Sequence, residues 1–471
     1  MSVANTHYGA MQIKELLSRA AHKSVFFVGI GGINMSSLAH ISHMRGMKVG
    51  GSDRTPSALT HRLENEGVDI FYSHDSSNIE GYDLLVYTVA ISEDNPEYVA
   101  ARRRGIPCVS RSDYMGYLMT GYERRIGISG MHGKSTCTSM CAEALMLSGV
   151  DPTVLSGAQL TSMGGAYRVG KEDYFLFEAC EYMDSFLDFY PTVSVILNIE
   201  MDHVDYFESM DHIKRSYLQF AKKAGEDGIC VANIDSKNVR DALSEYKGIR
   251  VWFGLSDKAD FRAVNITQRQ GCYSFDIVAY GEQVCFVSLK VGGYHNIYNA
   301  LACAAALSVA GISYADIKRG LEIFCGAERR MEFKGMLNGA RVYDDYGHHP
   351  TEVRATLAGA KDMTGGEGRL FCVFQSHTYS RTAALLGDFA SALDIADRVV
   401  ITDIYAAREV DTMGITPELF AECIGQKASA CHGFHKAAEV LRRELEPGDV
   451  AIVMGAGDVW HTFEYIDFDK N

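Results

Sequence analysis

The run Gly127-Ile128-Ser129-Gly130-Met131-His132-Gly133-Lys134-Ser135-Thr136 has the residue types that hold a triphosphate. Glycines let the backbone turn tightly and gather several N–H groups around phosphate oxygens. A helix starting at the same point adds partial positive charge. Lys134 then reaches the terminal phosphates, and Ser135 or Thr136 offers a hydroxyl to Mg2+. The strict pattern has glycine at 128, where this chain has Ile, so the match is to a variant with glycines at 127, 130 and 133. Helix-type sequence from Cys137 to Leu147 follows directly, as a phosphate loop requires.

Further polar sets follow apolar runs. Tyr174 to Phe177 leads into Glu178-Ala179-Cys180-Glu181, and Val193 to Leu197 leads into Asn198-Ile199-Glu200-Met201-Asp202-His203-Val204-Asp205. Two acidic clusters at adjacent strand ends repel each other unless a cation lies between them. Mg2+ prefers oxygen ligands, which points to Ser135 with Glu181, and to His203 as a less usual third ligand. The alternative for His203 is a histidine hydrogen-bonded to close a turn. Asn296 and Asn299 stand three apart at the start of a small-residue helix, hence on one face. Their amides suit a purine edge, or else cap the helix.

Later come Glu328 to Gly335, Asp344-Asp345-Tyr346-Gly347-His348-His349-Pro350-Thr351-Glu352, Gln375 to Thr382, Asp403 to Glu409 (with Arg408), and Gly455 to Asp458. Every one of these sets is read as following an apolar strand, so together they are expected to line one edge of a third parallel sheet. Adjacent histidines point apart, so His348 and His349 are not expected to form a zinc pair.

The elements that must position these groups read as an α/β chain. After a helix pattern from Met11 to Ala21, Val25 to Val28 is a buried strand. It turns through Gly29-Ile30-Gly31-Gly32-Ile33-Asn34-Met35-Ser36 into a helix, and Val49 to Asp53 supplies the next strand with an acid at its end. A nicotinamide dinucleotide dehydrogenase is the competing function here, but the third glycine of its fingerprint is replaced by Asn34. Strands at Leu84 to Thr88 and at Cys108-Val109 complete a unit ending near Tyr122. A net charge of −15 with no basic stretch argues against nucleic acid. Twelve cysteines without a CxxC pair suit reduced thiols in a cytoplasm, and the longest small-apolar run, Ala300 to Gly311, is too short for a bilayer.

In combination these motifs resemble the Mur ligases, and among them the alanine-adding branch, from about Val25 to Val459. Gly127 to Thr136 is similar to the family's GTHGKT loop, with Met131 in place of Thr. Asn198 to Asp205, His295 to Asn299 and Asp344 to Glu352 are similar to NIexDHxD, HNxxNA and DDYGHHPTE, and Gly29 to Ala39 to GIGGxxMS(S/G)LA. The resemblance implies three domains: a Rossmann-like UDP-substrate domain (1–121), a central P-loop ATPase-type domain (122–326) and a C-terminal Rossmann-like domain (327–471) that closes over ATP and the amino acid. It implies ATP and Mg2+ as cofactors, and joining of L-alanine to the carboxylate of UDP-N-acetylmuramate through an acyl phosphate in a cytoplasmic monomer or homodimer. The alternative within the family is recycling of a murein tripeptide.

By the same resemblance, Gly130, Met131, His132, Gly133, Lys134, Ser135, Thr136, Asn296, Asn299, Arg330 and Asp345 take ATP. Gly29, Gly31, Gly32, Asn34, Met35, Ser36, Asp53, His74, His349 and His377 take the UDP substrate. Ser135, Glu181 and His203 hold the metal, and Lys134, His203, His348 and Arg381 are catalytic, with His348 as general base. Departures are Cys180, Tyr182 and Met183 in the EADESDxSF segment, Ser376 and Thr378 in the FQPH element, and Tyr217-Leu218 where some relatives have a carbamylated lysine.

Overall fold

The computed structural model describes residues 7–20, 23–88, 91–171, 173–203, 206–269, 271–407, 409–411 and 413–469. Ala21, Val204, Asp205 and Arg408 of the motifs above lie outside these. Three sheets follow one another along the chain. The first has β1 (Ser24–Val28), β2 (Lys48–Ser52), β3 (Asp69–Phe71), β4 (Leu84–Tyr87) and β5 (Cys108–Ser110) in the order β3-β2-β1-β4-β5, all parallel. Every residue of β1 is buried, as a strand covered on both faces by helices must be. The order reverses between β1 and β4, so the glycine turn after β1 opens on the crevice where ligands of such sheets gather.

The second sheet contains β6 (Arg124–Ser129), β7 (Thr153–Leu160), β8 (Gly165–Arg168), β9 (Tyr174–Glu178), β10 (Val193–Ile196), β11 (Ile229–Asn233) and β12 (Ile249–Gly254). It continues into β13 (Phe261–Arg269), β14 (Cys272–Ala279) and β15 (Glu282–Gly292). β6 lies between β10 and β9, which brings the phosphate loop and both acidic clusters to one edge. The antiparallel meander β13-β14-β15 was not legible from the motifs, since its alternating half-exposed residues bear on no site signature.

The third sheet runs β16 (Glu332–Leu337), β17 (Ala340–Asp345), β21 (Val450–Met454), β18 (Leu370–Phe374), β19 (Arg398–Ile401) and β20 (Ala428–Ala430) in that spatial order. Its strands are parallel except β16, which pairs antiparallel with β17 through a short turn and so corrects the expectation of a wholly parallel sheet.

The cores explain how these units are joined. One apolar cluster runs from Ile13 and Val86 in the first unit to Phe175, Phe186 and Phe220 in the second, so those two units share a core. The clusters on the two faces of the third sheet draw only on residues 331–468. The third unit therefore meets the second across a largely polar seam, which can part at far lower cost than a shared core.

Candidate active site

At the end of β6 the chain turns through Gly130 (φ 144°) and Gly133 (φ 84°) into the helix Lys134–Leu147. Gly133 needs its missing side chain twice over: the φ is left-handed, and a Cβ would stand 2.6 Å from Asn299 Oδ1. Asn198, from the loop after β10, pins the turn. It accepts from the His132 N–H and donates to the His132 carbonyl, both at 2.9 Å.

Lys134 folds back over its own loop toward the Gly130 and Met131 carbonyls and lies 3.1 and 3.0 Å from the two Glu181 oxygens. Burial works against the ammonium, but Glu181 outweighs it and holds the lysine above its usual value. Glu181 is pushed up by burial and pulled down further by Lys134 and His203, so it stays ionised. His203 Nε2 is 3.5 Å from Glu181, at a turn with φ 50° whose carbonyl accepts from Tyr206 and Phe207. The turn is closed by the His203 carbonyl, not by its imidazole, which faces Glu181. Ser135 donates to Glu178 at 3.1 Å rather than to Glu181, which adds Glu178 to the acidic set. Tyr217 is fully buried and edge-on to Phe186, so it supplies packing.

Two connected sites flank the loop. A cavity of about 430 Å3 is lined by Gly133, Thr136, Asn296, Asn299, Arg330 and Asp345 among others. Asn296 donates to the Gly292 carbonyl (2.7 Å) and Asn299 to Asn296 Oδ1 (2.9 Å), so neither amide caps the helix, and both border the cavity. A larger cavity of about 910 Å3 is lined by Lys134, Ser135, Glu181 and His203 from the second unit, by Arg330, His348 and His349 from the third, and by Ile33 from the first.

Around the third unit's share of this cavity, Asp345 accepts from the Gly347 and Met331 N–H groups and from Thr356, fixing the loop after β17. Arg329 and Arg330 both lie on the Tyr346 ring, at 5.2 and 5.0 Å. His349 caps the helix Pro350–Met363 through Nδ1, and its ring faces His132 at 5.0 Å. The His348 ring turns instead toward His377, 5.9 Å away, so the adjacent histidines do point apart. Burial holds His348 at about 4. Its Nδ1 faces the Tyr346 carbonyl at 3.1 Å, which fixes the Nδ1–H tautomer and leaves the Nε2 lone pair free.

Arg381 does not line the cavity. Its guanidinium pairs with Asp202, which does line the cavity, at 3.2 Å across the seam, and its charge works with burial against protonation of His348. His377 likewise sits behind His348, bridged to Tyr405. In the first unit, Met35 lies in the core and the Ser36 hydroxyl donates to the Ile30 carbonyl, so their side chains face inward. Asp53 accepts from the Gly31 N–H at 2.8 Å and from Arg54 and Thr55, so the acid that a dinucleotide site would aim at a ribose holds the glycine turn. His74 is bonded to Glu97 (2.7 Å) and Ser52. Gly29, Gly32 and Asn34 remain at the open crevice.

Sequence reasoning assigned no role to Glu200 or Glu352. His132 lies between them, 3.4 Å from Glu200 and 3.3 Å from Glu352 of the third unit, while Thr351 donates to Glu200 at 2.7 Å. Burial pulls the His132 imidazolium down, and hydrogen bonding and charge from Glu200 and Glu352 more than offset it, raising the group to about 9. A histidine raised above its ordinary 6.5 strengthens the closed seam fully below that value and loses this contribution as pH climbs through about 9. Small-angle scattering of the ligand-free protein from about pH 7 to about pH 10 is expected to show expansion centred near 9. His132→Gln should abolish that midpoint; an unchanged radius of gyration in the wild type would count against the triad.

The Mur ligase family catalytic domain model matches residues 24–123, the Mur ligase middle domain 128–307, and the Mur ligase glutamate ligase domain 329–457. The chain belongs to the Mur ligase family. Within it, similar relatives are the UDP-N-acetylmuramate–L-alanine ligases of Acetivibrio thermocellus (43% identical, covering 98% of this chain and 99% of the relative) and Clostridium tetani (41%; 93% and 96%). The crystal structure of the UDP-N-acetylmuramate–alanine ligase of Thermotoga maritima superposes with a TM-score of 0.77 at 27% identity, over 94% of this chain and 98% of that one. A murein peptide ligase from Psychrobacter arcticus shares the fold at 22% identity and a TM-score of 0.67.

Proposed function

We propose that this chain is an ATP-dependent ligase that joins L-alanine to the carboxylate of UDP-N-acetylmuramate in peptidoglycan precursor synthesis. The observation that carries this function is the cavity of about 910 Å3 in which Lys134 and His348, from separately packed units, share one space. A carboxylate is a poor electrophile and does not condense with an amine in water. Its attack on the γ-phosphorus of ATP breaks the bond to the β-phosphate oxygen, releasing ADP and leaving an acyl phosphate. The uncharged amine of alanine then adds to the acyl carbon, and the tetrahedral adduct expels phosphate, which takes the surplus proton of the nitrogen and leaves the amide.

The first step needs in-line positioning and charge neutralisation. Lys134, exchanging Glu181 for the γ-phosphate, supplies a positive charge there, and the Gly130–Gly133 turn with the helix N-terminus holds the β-phosphate. Ser135, Glu178, Glu181 and His203 form a set rich in oxygen donors that fits Mg2+, which when bound neutralises phosphate charge. Adenine lies in the smaller cavity beside Asn296 and Asn299, closed by Arg330. A histidine held near 4 is too weak a base to strip an ammonium, so His348 accepts an N–H from the neutral amine at Nε2 and orients it. Arg381 keeps the units closed through Asp202. The UDP end lies at the glycine turn after β1, whose Ile33 reaches the same cavity.

The domains are taken as 1–121, 122–326 and 327–471, with one complete site per protomer in a cytoplasmic monomer or homodimer. Among the described residues no helix is long and apolar enough to cross a membrane. The test supplies ATP, Mg2+ and UDP-N-acetylmuramate and compares phosphate release with single amino acids and with the murein tripeptide. L-Alanine is expected to give the highest kcat/KM; release driven only by the tripeptide, or by no amine at all, would overturn the assignment.

A further inference from the structure

The seam between the second and third units borders another cavity, of about 550 Å3 and open to solvent, away from the phosphate loop. Its charged lining consists of Arg269 and Lys290 from the meander and Arg341 from β17, with no carboxylate. Strand geometry explains the convergence. Arg341 and Tyr343 lie two apart on β17 and share a face, as do Ser288 and Lys290 on β15. Ser274 is paired across to Ser288, and their hydroxyls share one hydrogen bond at 2.8 Å, which leaves one O–H to donate elsewhere.

The lining that Arg269 and Lys290 share holds no carboxylate, and the Arg341 guanidinium donates to the Met363 carbonyl. Three cations gathered without an acid, in a chain of net charge −15, repel one another when the seam closes. An anion between them reverses the sign of that interaction.

We propose that this cavity is a second binding site, distinct from the ATP site, for a phosphorylated small molecule that bridges the second and third units. Two guanidinium forks and an ammonium match a multiply charged tetrahedral oxyanion better than a single carboxylate. The volume exceeds what one phosphate fills, and Val291, Met331 and Met363 give an organic body an apolar wall. Since the cations come from both sides of the seam, such a ligand binds the closed arrangement in preference to the open one and couples to the active site through closure. Nothing in this depends on which amino acid the enzyme adds.

The test uses the full chain saturated with Mg2+ and a non-hydrolysable ATP analogue, so that the phosphate loop is filled, and titrates pyrophosphate at fixed free Mg2+ and about 150 mM chloride, a concentration that screens loose surface attraction. One additional saturable site is expected by calorimetry. The double variant Arg269→Ala/Lys290→Ala, both exposed positions, should weaken it at least ~10-fold, with ligand-free thermal stability unchanged or raised because like charges are removed. No saturable binding beyond the nucleotide, or wild-type affinity in the double variant, overturns the site.

Discussion

Lys134→Ala is expected to lower turnover by ~10²–10³-fold, the scale for losing one preorganised charge contact to a transition state. The lysine is buried in its loop and already bonded to Gly130, Met131 and Glu181, so its ammonium is positioned before nucleotide arrives. An alanine there leaves the glycine turn intact, since the turn is set by Gly130, Gly133 and the Asn198 bonds rather than by the lysine side chain. Affinity for the UDP substrate, which we propose binds at the first sheet, should therefore change little. Steady-state phosphate release and a separate titration with the UDP substrate separate the two effects. Near-normal turnover in a folded variant would remove Lys134 from the reaction.

Glu181→Gln carries the second large effect. The side chain is 1% exposed and holds Lys134 and, at 3.5 Å, His203. The amide keeps the shape but removes the negative charge, so Lys134 loses its counter-charge and the oxygen donor set loses its strongest member. The expected result is a magnesium requirement raised ~10–100-fold, the range seen when a metal site's supporting contacts are lost. Turnover at moderate magnesium should fall by ~10² and recover in part as magnesium rises. A magnesium dependence identical to that of the wild type would place the ion elsewhere.

These two residues also mark how far the chain could be read without coordinates. Gly130, Gly133 and Lys134 announce their conformation locally, because few sequences besides a glycine-rich turn running into a helix present that pattern. Glu181 was legible as part of one of two acidic clusters at strand ends, but the cation beside it here is Lys134, Asp202 and Glu200 of the other cluster meet Arg381 and His132, and Ser135 turns to Glu178. Arg381 and Asp202 were each visible as polar residues after apolar strands, yet nothing local says that a guanidinium from the third unit meets a carboxylate from the second. Met35 and Ser36 show the opposite failure: a motif match made them ligand residues, and the packing of their helix turned both side chains inward.

The amino-acid sequence alone determined the α/β class, the three successive units, the phosphate loop and the family, because runs of buried apolar residues and glycines at fixed offsets act over a few residues. Tertiary structure alone decided that His132 would sit between Glu200 and Glu352, that the third unit would keep its own core and pack by polar contacts, and that Arg269, Lys290 and Arg341 would face one cavity. Those meetings join residues from different sheets. Strand order and domain closure, rather than local spacing, set the distances between them.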